Sequence, residues 1–233
     1  MNPSGFEQQT SLYALIVAGG SGSRMQSSTP KQFLTVGGKP ILFHTLEAFY
    51  NFDPSISIVL VLPEAQVKLW KELKKEHNFN IPHAIVEGGN SRFQSVKNGL
   101  ALVPMEAVVA IHDGVRPFIS SAILQNCFAT ASETGSAIVS VPLKESIRRL
   151  NEHGSQAEDR SLFRMVQTPQ TFQARLIKKA YRQEELSHFT DCASVAEADG
   201  NAITLIEGSY DNIKITTPGD ILFAENLLKN KEL

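Results

Sequence analysis

The residues best suited to chemistry lie in four short stretches. The first runs Ala18-Gly19-Gly20-Ser21-Gly22-Ser23-Arg24 and continues through a long loop to Pro30-Lys31-Gln32. Glycines just past a buried strand let the backbone approach a ligand, and their N–H groups can form an anion cradle. A dinucleotide GxGxxG motif needs glycine where Met25 stands. A Walker A loop needs Gly-Lys-Ser/Thr, and Gly38-Lys39 is followed by Pro40. The loop is therefore glycine-rich but of neither type, and its distinctive feature is the cation pair Arg24 and Lys31. The second stretch, His112-Asp113-Gly114-Val115-Arg116-Pro117, places a carboxylate and a guanidinium just past an apolar run. Such an aspartate can help hold Mg²⁺ beside substrate phosphates, and the arginine fork suits a phosphate. The alternative is a structural Asp–Arg pair, and His112 reads as packing. The third, Gly88-Gly89-Asn90-Ser91-Arg92 with Ser95 beyond, offers either a helix cap at Asn90 or Ser91 or hydrogen-bonding groups for a base. The fourth is Tyr210-Asp211-Asn212-Ile213-Lys214, whose lysine is by spacing alone a surface residue.

These stretches need elements to position them. Apolar runs rich in Val and Ile at 13–18, 56–62, 83–86, 107–111 and 136–141 lack a polar face, as strands of a parallel sheet buried on both sides do. Helix-like segments alternate with them at 40–50, 64–77, 91–103 and 120–134, with Pro40 suited to a first helical position. Strand and helix in alternation predict an open α/β sheet. In such sheets ligands bind beyond the carboxyl ends of the strands, where three of the four stretches fall. The alternation breaks after Pro142. Residues 143–164 are charged around an Asn151–Gly154 turn and read as a two-stranded arm. An arm of that size buries little by itself, so it is either a surface hairpin or packs on another subunit. Helices at 174–187 and 191–199, strands at 203–206 and 213–215, and a closing helix at 218–229 complete the chain, with Gly200 placed to end the second of those helices. No repeat or linker divides it, so residues 1–233 read as one domain with an arm at about 143–164.

Composition narrows the function classes. The chain has 233 residues, 42% hydrophobic and 20% charged, with 22 Lys plus Arg against 24 Asp plus Glu and a formal net charge of −2. That is enough apolar material for a core, and no bulk charge draws the chain to nucleic acid or to an anionic membrane. Its two cysteines, Cys127 and Cys192, exclude a disulfide scaffold and a four-cysteine zinc site, and suit a reducing cytoplasm. The N-terminal MNPSGFEQQT lacks the pattern of a signal peptide, and no run approaches the ~20 apolar residues of a membrane span.

Taken in order, AGGSGSRM, PKQ, GG-x-SR-xx-SV, HDGVRP, TPQ, TD-xAS and DNIK resemble the 2-C-methyl-D-erythritol 4-phosphate cytidylyltransferase family over about residues 12–228. The resemblance implies a Rossmann-like nucleotidyltransferase fold, with a mostly parallel sheet, helices on both faces and a protruding β-hairpin arm that reaches a second copy in a homodimer. It implies cytidylyl transfer from CTP to 2-C-methyl-D-erythritol 4-phosphate with release of pyrophosphate, and Mg²⁺ bound largely through the CTP phosphates. On its motifs, Ala18, Gly19, Gly20, Arg24 and Lys31 would hold the triphosphate, and Gly89, Asn90, Ser95 and Gly114 the cytidine. Asp113, Arg116, Ser146, Thr190 and Lys214 would face the sugar phosphate, and Arg160 would reach it from the partner's arm. Arg24, Lys31, Arg160 and Lys214 would carry catalysis, and Asp113 and Asp211 would serve the metal. Asn90 stands where an aspartate is frequent in the family, and Ser146 where a threonine is.

A phosphate monoester nucleophile fits this set, since its second pKa is about 6 and it needs no general base at neutral pH. What the protein must supply is positive charge and placement. No Ser-His-Asp set or reactive cysteine is required; Cys127 reads as core and Cys192 as a helix residue. Ribitol 5-phosphate cytidylyl transfer is the nearest alternative, because a few contacts separate two polyol phosphates. A nucleotide-binding regulatory protein without turnover is the alternative of another class.

Overall fold

In a computed structural model the chain is described at residues 10–20 and 29–231. The elements follow in order as β1 (Leu12–Val17), β2 (Thr35–Val36), β3 (Lys39–Pro40), α1 (Ile41–Phe52), β4 (Ser57–Leu62), α2 (Glu64–Glu76), β5 (Ala84–Glu87), α3 (Arg92–Leu100), β6 (Val108–Asp113), α4 (Ser121–Thr134) and β7 (Ser136–Pro142). After these come β8 (Ile147–Asn151), β9 (Gly154–Glu158), β10 (Arg164–Gln173), α5 (Ala174–Ala180), α6 (Cys192–Ala198), β11 (Leu205–Glu207) and α7 (Pro218–Lys231).

Seven strands form one sheet in the order β11-β7-β10-β6-β1-β4-β5. The pairs β1–β4, β1–β6, β4–β5 and β7–β11 are parallel, and only β10 runs antiparallel, between β6 and β7. Alternate residues of a strand face opposite sides, and here both sides are covered. Ala14 and Ile16 of β1 point to one face, where Phe43, Leu46 and Phe49 of α1, Trp70 of α2 and Phe128 of α4 pack. Leu15 points to the other, against Phe93 and Val96 of α3, Ile177 of α5 and Val195 of α6. Gly99 lets α3 lie close to the sheet: a Cβ there would stand 2.3 Å from Leu15 Cδ1. The expected mostly parallel α/β sheet with helices on both faces is therefore present.

The central antiparallel strand β10 was not expected. Its residues 164–173 include Gln167, Thr168, Pro169 and Gln170, which break the apolar pattern that marks the other strands of the sheet. Its register against β7 shifts between Val166 and Gln170, around the cis Thr168–Pro169 peptide, so the polar stretch is accommodated by an irregularity. Three smaller expectations also need correction. Residues 213–215 form no strand; Ile215 N–H donates to the Val115 carbonyl at 2.9 Å, and Ile213 N–H closes a local turn on the Asp211 carbonyl at 2.8 Å. The helix expected over 174–187 stops at Ala180, because Gln183 Nε2 donates to the Ala180 carbonyl (2.8 Å) and the Val195 carbonyl (2.9 Å). Pro40 precedes α1 as its cap rather than opening it.

The arm is present. β8 and β9 pair antiparallel in a sheet of their own. Charged contacts such as Arg149–Glu158 at 2.8 Å run across it, while Leu150 is 80% exposed and Leu162, just beyond, 78%.

Candidate active site

Two adjoining cavities open at the carboxyl ends of β1, β5 and β6. The first, about 220 Å³, is lined by Ala18, Gly19, Gly20, Lys31, Gln32, Gly89, Asn90, Ser91 and Ser95, among others. The second, about 260 Å³, is lined by Arg116, residues 166–168, Gln170, Thr190 and Asp191. Arg92, Asp113 and Lys214 line both and form the wall between them.

The first cavity sets glycine main chain beside the side chains of Lys31, Gln32, Asn90 and Ser95. Gln32 is buried, and its Nε2 donates to the Ala18 carbonyl at 2.7 Å and to Gln66 Oε1. That bond ties the short 3₁₀ turn of residues 31–33 to the end of β1 and brings Lys31 across the glycines. A Cβ on Gly20 would lie 3.3 Å from Lys31 Cε and 3.5 Å from its Nζ, so the lysine tip rests over Gly20. On the opposite side Ser95 Oγ accepts the Gly89 N–H at 3.0 Å, and Gln94 Oε1 accepts the Asn90 N–H at 3.0 Å. Ser91 is the cap of α3, accepting from Gln94 N–H at 3.0 Å, which leaves the Asn90 side chain for the cavity.

The second cavity is built from side chains that hold one another. Asp113 Oδ2 lies 2.9 Å from Lys214 Nζ and 3.5 Å from Arg116 Nε. Burial alone would raise the Asp113 carboxyl, but the fields of Lys214, Arg92 and Arg116 outweigh it and hold the group well below the usual carboxylate range. Arg116 Nη1 donates to the Asn212 carbonyl at 2.8 Å, and the buried Asn212 side chain donates to Thr168 O at 2.8 Å and Gln167 Oε1 at 3.2 Å. The last stretch of the sequence is thereby locked onto β10, and this places Lys214. Gln170 Oε1 accepts the Cys192 and Ala193 N–H groups (2.8 and 3.1 Å) and its Nε2 donates to Asp191 Oδ2 at 2.8 Å, which fixes the start of α6 beside the cavity.

His112 lies behind this wall. Asp113 N–H donates to Thr168 Oγ1 at 3.0 Å, and Thr168 O–H faces His112 Nδ1 at 3.1 Å. His112 Nε2 sits 3.0 Å from the Arg116 carbonyl, to which only an Nε2–H can donate. Both ring nitrogens are thus satisfied with the imidazole neutral. Burial pushes its pKa down to about 4, so it is a packing histidine, as expected.

Of the residues expected at the site, Ala18, Gly19, Gly20, Lys31, Gly89, Asn90 and Ser95 line the first cavity, and Arg116 and Thr190 the second. Asp113 and Lys214 line both. Arg24 lies outside the described residues. Gly114 lines neither cavity: a Cβ on it would meet Ala18 Cβ at 2.9 Å and Leu42 Cδ1 at 3.0 Å, so it is a packing glycine that seats the end of β6 against β1. Ser146 and Arg160 lie on the arm and line neither cavity of their own chain; Arg160 Nη1 donates to the Lys144 carbonyl. Asp211 is exposed and lines neither, so it and Asp113 share no cavity, and one Asp113 oxygen, Oδ2, is already held by two cations. Among the described residues no group of three or more His, Cys, Asp or Glu side chains is placed to hold a metal ion. Sequence reasoning assigned no role to Arg92, Gln32, Gln167 or Gln170. Polar side chains within otherwise apolar surroundings were the available signal. Cys127 is buried, and burial pushes its thiol up to about 12, which suits a core residue.

Comparisons with known proteins agree with this arrangement. The model of the 2-C-methyl-D-erythritol 4-phosphate cytidylyltransferase family matches residues 12–230. A protein of that name from Bacteroides fragilis is 53% identical over 215 residues, covering 92% of this chain and 98% of that one. One from Bacillus velezensis is 38% identical, covering 92% and 94%. The fold superposes on a 4-diphosphocytidyl-2C-methyl-D-erythritol synthase from Anaerococcus prevotii with TM-score 0.80 and 26% identity, covering 94% of this chain and 99% of that one. A 2-C-methyl-D-erythritol 4-phosphate cytidylyltransferase from Thermus thermophilus gives 0.76 and 29%, covering 94% and 100%. The glycine loop, the two joined cavities and these likenesses along nearly the whole chain agree, and the chain belongs to the 2-C-methyl-D-erythritol 4-phosphate cytidylyltransferase family.

Proposed function

We propose that this chain transfers the cytidylyl group of CTP to 2-C-methyl-D-erythritol 4-phosphate, giving 4-diphosphocytidyl-2-C-methyl-D-erythritol and pyrophosphate for isoprenoid synthesis. The observation that carries the reading is the shared wall of Arg92, Asp113 and Lys214: a backbone-lined nucleotide cavity opens directly onto a charged one. CTP takes the first cavity, with Gly89, Asn90 and Ser95 around the base and ribose and the 18–20 loop with Lys31 around the phosphates. The acceptor takes the second, its phosphate toward Arg116 and Lys214 and its hydroxyls toward Asp113 and Thr190.

An acceptor phosphate oxygen attacks the α-phosphorus in line, and the bond from that phosphorus to the pyrophosphate oxygen breaks. No proton has to be removed from the nucleophile near neutral pH. The obstacle is the approach of one anion to another, and fixed cations in a partly desolvated cleft lower it. Lys31, with Arg24, stabilises charge developing around the α-phosphorus, and Lys214 steers the incoming phosphate. Mg²⁺, held largely by the CTP phosphates, would supply charge neutralisation there. Asp113, occupied by Lys214 and Arg116, serves those two cations rather than the metal.

The same reading takes the chain as one cytidylyltransferase domain acting in the cytoplasm as a homodimer. The arm at about 143–164, with Leu150 and Leu162 uncovered, would pack on a second copy and offer Arg160 and Ser146 to that copy's acceptor cavity. Among the described residues no helix is long and apolar enough to cross a membrane, and the net charge of −2 gives no reason for nucleic-acid binding.

Pyrophosphate release tests the function. With CTP and Mg²⁺, the wild type should turn over 2-C-methyl-D-erythritol 4-phosphate far faster than ribitol 5-phosphate. The reverse preference would reassign the acceptor. CTP binding without pyrophosphate release from either acceptor would favour a regulatory role.

A further inference from the structure

Arg92 is the first residue of α3, and its guanidinium belongs to the wall between the cavities. Its partner is unusual. Nη1 donates to Cys192 Sγ at 3.2 Å, and the same sulfur receives the Tyr181 hydroxyl at 3.3 Å. Among the described residues no carboxylate lies within ion-pair distance of it. Asp113 is held by Lys214 and Arg116. Asp191, the other acid lining the second cavity, spends one oxygen on the Ser194 N–H at 2.8 Å and the other on Gln170 Nε2 at 2.8 Å. The junction therefore presents Arg92, Arg116 and Lys214 against Asp113 and Asp191, an excess of one positive charge. A sulfur is a weak acceptor, so it orients a guanidinium while neutralising little of its charge. Arg92 and Asp113 act on each other's charge from beyond ion-pair distance, and a half-buried cation without a direct counter-ion leaves a place for an anion to complete it.

We propose that Arg92 is a further substrate-binding residue, which grips the acceptor's phosphate at the junction of the cavities, and that Cys192 is the positioning residue that aims it there. The acceptor is favoured over the nucleotide because Cys192 begins α6 directly after Thr190 and Asp191, which line only the second cavity. The inference rests on the cytidylyl-transfer reading and adds to it a residue for acceptor affinity.

Steady-state kinetics of Arg92→Gln should show the acceptor KM raised by about tenfold or more, the scale of a lost hydrogen bond to a charged group. The CTP KM should move far less, and the melting temperature should stay near that of the wild type. Arg92→Lys, which keeps the charge without the planar fork, should recover part of the loss. Cys192→Ala, which removes the acceptor that aims Arg92, should raise the acceptor KM several-fold with kcat little altered. An unchanged acceptor KM in both Arg92→Gln and Cys192→Ala overturns the proposal. So does a loss in Arg92→Gln that falls equally on both substrates and follows a lowered melting temperature. If the wild type turns over no acceptor, cytidylyl transfer itself fails, and calorimetric titration with inorganic phosphate decides Arg92. Binding weakened about tenfold in Arg92→Gln then supports the assignment, and equal binding overturns it.

Discussion

The two cavities are close in size, about 220 and 260 Å³, and share a wall, yet they are built by opposite means. The first is shaped by main chain. Gly19, Gly20 and Gly89 bring peptide groups to the surface, and Gln32, Gln94 and Ser95 fix the loops by hydrogen bonds within a few residues or one strand away. The second is shaped by side chains from five separate parts of the chain, α3, the end of β6, β10, the start of α6 and the loop before α7, locked by Asp113, Gln170 and Asn212. A backbone site suits a nucleotide, whose phosphates and base edges are read by N–H groups at close approach. A side-chain site suits a small polyol phosphate, where specificity depends on individual charges and hydroxyl partners.

Lys31 is the side-chain cation that the backbone cavity needs, and it gives the largest expected effect. Lys31→Ala should lower kcat by roughly a hundredfold or more, with folding intact, because one preorganised electrostatic stabiliser is lost. A near-normal kcat would remove Lys31 from the chemistry.

Behind the second cavity, His112 links pH to stability. Its folded pKa of about 4 lies below the ordinary 6.5. The unfolded chain therefore takes up the proton first as pH falls. The stability that His112 confers is complete above pH 6.5 and is lost as pH drops toward 4, by roughly 3 kcal/mol in all. Thermal melts should show a fall in Tm across that window, flattened in His112→Gln even though the variant is less stable at pH 8. An equal slope in both proteins would place the pH response elsewhere. The Asp113 side chain, held far below the ordinary carboxylate range by Lys214, Arg92 and Arg116 against the cost of its burial, stays ionised throughout that window.

The same contrast explains what the sequence could disclose. Glycines past a strand end announce backbone chemistry locally, so Gly19, Gly20, Gly89 and Lys31 were legible from their spacing. The alternation of apolar runs and helices likewise disclosed the parallel part of the sheet. Thr190 and Lys214 were not legible that way. Lys214 looks like a surface lysine until Asn212 pins its segment to β10, and β10 carries no apolar pattern because its buried Gln167, Thr168 and Gln170 are satisfied by distant partners, among them Ser209, Asn212, His112 and Asp191. Only the ordered set of motifs pointed to those residues. Gly114 shows the complementary case. It looks like the other strand-end glycines, but the contact that requires glycine there is with Ala18 and Leu42 rather than with a cavity. Arg92 went unassigned because its partner, Cys192, is a hundred positions away in the chain.

The division of labour is tested most directly by measuring both KM values in Gly89→Ala and in Arg116→Gln. In Gly89→Ala a Cβ would stand 2.3 Å from Gln94 Cβ and displace the loop. The KM for CTP should then rise about tenfold with the acceptor KM little changed. In Arg116→Gln the acceptor KM should rise by about tenfold while that for CTP holds. Crossed results, with Gly89→Ala weakening the acceptor and Arg116→Gln weakening CTP, or both variants raising the two constants alike, would contradict the separation of donor and acceptor on which the account depends.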